Sequence, residues 1–164
     1  MEKAFITAIT ERFQSCKALG DKTLEKLSIE QLHFCPDSES NSISIIVQHL
    51  YGNMVSRFTN FLTEDGEKSW RKRDGEFMAM DIEKEDLLSF WETGWSFVFE
   101  TIKTLEEANL LQKVTIRNEP LFVFDALLRQ LAHYNYHIGQ IVYLGKMQLQ
   151  GNWTSLSIPK TKPI

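Results

Sequence analysis

The chain has 164 residues, enough for one domain with a sizeable core, and its 43% apolar and 24% charged content excludes a disordered or fibrous protein. A formal net charge of −4, with both signs interspersed, speaks against a nucleic-acid partner, which would call for a basic face. No apolar run approaches the ~20 residues that cross a bilayer, and Met1 to Phe5 lack the apolar core and cleavage site of a signal peptide, so no membrane partner is expected.

The first helix is read from Phe5, Ile9, Phe13, Cys16 and Leu19, which recur at steps of three and four, and it is expected to end near Leu27. Ser28-Ile29-Glu30-Gln31 reads as a capping box that opens a short helical turn, stopped by Pro36. A second long helix starts at Asn41 or Ser42, both good N-caps, and runs to about Leu62. Its apolar face holds Ile43, Ile46, Val47, Leu50, Met54, Phe58 and Phe61.

Residues 64–80 form a long loop, and loops beyond ~12–15 residues are usually functional or disordered. The third long helix starts at Asp81, with Leu88, Trp91, Trp95, Val98, Ile102 and Leu105 on a bundle-type stripe. Val114 to Arg117 alternates like a short strand, turning at Asn118-Glu119. The fourth opens around Pro120, a favoured first-turn residue, and continues to about Leu149. After Gly151 the tail, with Trp153, Pro159 and Pro163, cannot be helical. The expected architecture is all-α: one domain over 1–164, a four-helix bundle with a long loop between its second and third long helices and a tail at 151–164.

His133 and His137 stand at i and i+4 on the fourth helix, so both imidazoles can reach a single ion. The sequence between them lacks the glutamate of an HExxH zincin. An isolated pair of this kind is equally well explained by half-buried histidines bonded to neighbours. Two features favour a metal: both histidines fall at the margin of the apolar stripe, and His49 holds the matching margin of the second long helix. His49, Asn53 and Arg57 follow one another at i, i+4 and i+8. They are either an amphipathic boundary with a snorkelling arginine, or a polar wall facing a cavity in which Arg57 meets an anionic substrate. Three neutral imidazoles leave a coordination position open, as in catalytic zinc sites. His33, before Pro36, is set aside as a turn residue.

Asn41-Ser42-Ile43 leading to Gln48-His49-Leu50-Tyr51-Gly52-Asn53-Met54, paired with Leu131-Ala132-His133-Tyr134-Asn135-Tyr136-His137-Ile138-Gly139-Gln140-Ile141, resembles the DinB-like (YfiT-like) metal-dependent family of bacteria. The stretches Ser56 to Thr59 and Asp65 to Phe77 are similar to one branch of it, and the likeness runs from the first helix to the Trp153–Pro159 tail. This resemblance implies a four-helix bundle, often a homodimer, with zinc or nickel on His49, His133 and His137. It further implies action on a low-molecular-weight thiol, as in a thiol S-transferase.

The expected chemistry is that of a metal-bound thiolate or water, because a metal on three neutral ligands keeps its charge and acidifies what fills the open position. Asn53, Arg57, Trp70 and Arg73 are the candidate substrate residues, with Lys68, Arg71 and Lys72 completing a basic loop that Trp70 could close as a lid. A solvated loop whose charges do nothing is the simpler account of that segment. The rival functions are a non-catalytic metal-binding stress or sensing protein, and a dimeric interaction module using Phe90, Phe97 and Phe99. Cys16 lies on a core stripe, and Cys35 with His33 makes a poor catalytic pair, so two reduced thiols in a cytoplasmic protein are expected.

Overall fold

Local capping sets where the helices begin. In the computed structural model, which describes residues 2–159, helix α1 (Glu2–Leu24) buries Ile9, Phe13 and Cys16. It stops at Leu24, and the chain reaches Leu27 through a tight turn closed by the Lys26 and Leu27 amides onto Thr23 and Leu24. Helix α2 (Ile29–His33) carries the full capping box: Ser28 Oγ accepts from the Gln31 amide, and Gln31 Oε1 accepts from the Ser28 amide at 3.0 Å. Helix α3 (Ile43–Phe58) is capped by Ser42, whose hydroxyl accepts from the Ile45 amide at 3.2 Å.

Besides the end of α1, at Leu24 and not near Leu27, three boundaries differ from the sequence reading. α3 ends at Phe58, not near Leu62, because Asn60 takes a left-handed conformation (φ 49°) that turns the chain away. Helix α4 (Lys84–Thr104) begins after Glu83 instead of at Asp81. Helix α5 (Val123–Leu149) begins past Pro120, which lies in a strand. That strand, β2 (Glu119–Phe122), pairs antiparallel with β1 (Lys113–Ile116), Thr115 facing Pro120. Arg117 and Asn118 (φ 56° and 62°) form a two-residue turn of the kind that suits a tight hairpin. In a two-stranded hairpin Pro120 sits at an edge, where its missing N–H costs nothing.

About two-thirds of the protein is helical (66%), and four long helices pack as a bundle with the small hairpin beside them. α3 packs most extensively on α4, and α1 on α5. Trp95 of α4 fills the centre, with ring centroids 6.3 Å from Phe13, 5.6 Å from Trp91 and 5.7 Å from Tyr134. Phe90, Phe97 and Phe99 are half-buried; Phe90 stacks on Tyr51 and Phe99 on Trp95. After α5 a short turn leads to Trp153, whose ring lies under the Lys26 ammonium. Pro163 and the rest of 160–164 lie outside the described residues. Among the described residues no helix is long and apolar enough to cross a membrane.

Candidate metal centre

α3 and α5 touch less than the other two seams, and the gap between them is polar. α3 sends His49, Asn53 and Arg57 toward it, one turn apart; α5 answers with Gln130, His133, His137 and Gln140. Together they line a cavity of about 470 Å³. His49 and His137 are buried, 4% and 8% exposed, and His133 is half-buried between them.

The Nε2 atoms converge. His133 Nε2 lies 3.3 Å from His49 Nε2 and 3.1 Å from His137 Nε2. Ligands about 2.0–2.1 Å from a tetrahedral zinc stand about 3.3 Å apart, as these two pairs do, and the three ligand atoms all lie within 4.8 Å of one another. The outer nitrogens set the tautomers of two rings. His49 Nδ1 donates to Glu76 Oε2 at 2.9 Å, and His137 Nδ1 donates to Gln140 Oε1 at 2.8 Å. In their neutral forms both rings therefore offer an Nε2 lone pair toward the shared centre.

The electrostatics favour neutral imidazoles. Burial pushes His133 down to about 3, helped by His137, His49, Arg57 and Arg71 nearby. Burial likewise takes His137 down to about 4, against the pull of its bond to Gln140. These groups are thus ready to bind metal at neutral pH without first losing a proton.

Glu76, which the sequence reading missed, is the carboxylate behind His49. Burial pushes its carboxyl up, but Arg71 and His49 outweigh that and hold it below the ordinary range. Arg71 grips it with two bonds of 2.7 Å, Nε to Oε1 and Nη2 to Oε2. Gly52 leaves the space: a Cβ there would collide with the Glu76 carboxylate. A glycine inside α3, three residues after a histidine, was the available signal, though nothing local tied it to a carboxylate from the loop.

The 64–80 loop is far from a uniformly solvated strap. Ser56 Oγ donates to the Gly66 carbonyl at 2.8 Å, and Arg57 binds the same carbonyl and the Glu67 carboxylate. Asp65 accepts from the backbone amides of Glu67, Arg117 and Asn118, tying loop to hairpin. Its carboxyl, although raised by burial, is taken down to about 2 by those amides. Lys68 and Arg71 are held inward, while Lys72 and Arg73 stay exposed.

Of the four candidate substrate residues, Asn53, Arg57 and Arg73 line the cavity, and Asn53 Oδ1 accepts from the Tyr134 hydroxyl at 3.1 Å. Trp70 is 54% exposed and is not among the lining residues. His33 lies elsewhere, its ring nitrogens 2.9 Å from Ser44 Oγ and 3.1 Å from the Ile82 carbonyl. Cys16 is buried, which pushes its thiol up to about 12, and Cys35 is exposed; both are free.

Fold and site together define a helical protein whose buried three-histidine cluster, His49, His133 and His137, could hold a metal ion. The chain belongs to the family described as "Protein of unknown function (DUF1572)", whose sequence profile matches residues 1–162. No curated protein and no solved structure matches it.

Proposed function

We propose that the protein is a divalent-metal enzyme, with zinc or nickel on His49, His133 and His137, that transfers or activates a low-molecular-weight thiol. The observation that carries this reading is the convergence of three Nε2 atoms, two of them with lone pairs set by Glu76 and Gln140. A metal here would supply Lewis acidity at an open position, lowering the pKa of a thiol or water. Among the described residues no Cys, Asp or Glu joins the three histidines, and a closed structural site would call for a fourth protein ligand. The resemblance to the DinB-like family supports the thiol chemistry.

The chain's own groups have separable tasks. Glu76 holds the His49 ring in orientation and is itself held by Arg71. Gln140 does the same for His137. Asn53, Arg57 and Arg73 face the space a substrate would occupy, and Trp70 stands outside it as a residue for a closing loop.

The test is elemental mass spectrometry of the untagged protein beside a His49→Ala, His133→Ala variant. Near-stoichiometric zinc or nickel in the wild type, lost in the variant, is the expected result. A wild type that neither carries nor takes up either metal would overturn the reading.

A further inference from the structure

The cavity's wall has a second chemical character that the histidines do not explain. Five arginines line it, Arg57, Arg71, Arg73, Arg117 and Arg129, and no carboxylate does among the described residues. This is unexpected for a chain whose formal net charge is −4. Some of this charge is already matched from behind. Glu67 pairs with Arg57 at 3.0 Å, with Arg71 at 3.3 Å and with Arg117 at 2.9 Å, and Glu76 is engaged by Arg71 and His49. Two carboxylates, Glu67 and Glu76, set against three guanidiniums leave a surplus of positive charge.

Two arginines are freer still. Among the described residues the only ion pair of Arg73 is with the exposed Asp74, at 3.7 Å, its guanidinium lying over the Phe77 ring at 5.1 Å, and Arg129 makes none. Both are exposed, so neither is needed to fill the core. Gln130, next to Arg129, is 3% exposed, lines the same cavity, and keeps a buried Oε1 with no hydrogen-bond partner. That oxygen can only accept, so it calls for a donor; toward an anion Gln130 can offer only the hydrogens of its Nε2.

We propose that the cavity binds a small molecule carrying an oxyanion, a carboxylate or a phosphate, between Arg73, Arg117 and Arg129, with Gln130 as a neutral donor through its Nε2. Guanidinium groups match the planar oxygens of such groups and hold them by charge-assisted hydrogen bonds. A surplus of one sign in a concave site also draws the opposite charge from solution. The inference names the substrate class of the site proposed above and rests on that reading for its link to catalysis, but anion binding itself does not require the metal.

Isothermal titration calorimetry tests it with three probes: malonate, inorganic phosphate and uncharged malonamide, each on zinc-loaded and metal-free protein. Malonate or phosphate is expected to bind in both forms and malonamide in neither; the tighter anion identifies the preferred oxyanion. The exposed pair Arg73→Gln, Arg129→Gln should weaken anion binding by roughly tenfold or more, with zinc content unchanged. Equal binding of malonamide, failure of both anions, or full affinity in the metal-free double variant would each overturn the proposal. Zinc content, read separately, reports on the metal reading alone.

Discussion

Helix α3 meets α4 on one side and α5 on the other, and the two seams are built on opposite terms. Against α4 it closes tightly: a Cβ on Gly94 would come within 3.0 Å of Met54 Sδ and 3.3 Å of the Tyr51 backbone, so the glycine allows a close approach. Tyr51 stacks on Phe90, and Met54 and Trp95 are fully buried. Against α5 it stays apart, and the space between is a cavity lined by imidazoles, amides and guanidiniums. Apolar burial stabilises the first seam at about 25 cal/mol per Å², whereas buried polar groups do little more than offset their own desolvation. The lesson is a division of labour: one side of α3 secures the fold, and that leaves the other free to hold groups chosen for chemistry.

This contrast can be broken by mutation. Trp95→Ala, at the apolar seam, should destabilise by ~3–5 kcal/mol in urea unfolding of the metal-free protein. His133→Ala should cost no more than about 1 kcal/mol in the same assay, since it removes a half-buried group and not a core side chain. Comparable losses would mean that the polar seam also carries the fold.

A smaller effect sharpens the account of the polar seam. Glu76→Gln should weaken zinc binding by about 10–100-fold in chelator competition, because the carboxylate orients His49. Gly52→Ala should act in the same direction by driving Glu76 aside. An unchanged Kd in both would show that His49 is oriented without help from the loop.

The smallest effect at neutral pH is the pH dependence of the metal-free protein. His133 titrates at about 3 when folded against 6.5 ordinarily, so between those values the unfolded chain binds more protons. Stability should therefore be level above about 6.5 and fall as the pH drops toward 3. Asp65, lowered from 3.8 to about 2, adds its own loss only below 3.8, as its bonds to the hairpin are protonated away. Urea midpoints that rise on acidification would contradict both assignments.

Much of the bundle was legible in the residues. The α4 stripe, the Ser28 capping box and the Ser42 cap are local patterns, governed by neighbours three and four positions apart, and the structure carries each of them. The three histidines were also legible, because i and i+4 spacing on one helix and a matching margin on another depend only on helical geometry. Pro120 misled for the same reason. Its torsion suits a helix start and an edge strand alike, and the choice was made by pairing Thr115 with Pro120 across a turn at Arg117 and Asn118.

By itself, then, the sequence determined which faces of the long helices are apolar and which residues stand at their margins, since both follow from a fixed rotation per residue. The tertiary structure alone decided that α3 and α5 bring His49 against His133, that Glu76 reaches His49 from the 64–80 loop, and that arginines from loop, hairpin and helix share one wall. Those contacts join residues far apart in the chain. No short-range pattern encodes them, because they depend on where the loop is held by Ser56, Arg57 and the Asp65 bonds to the hairpin.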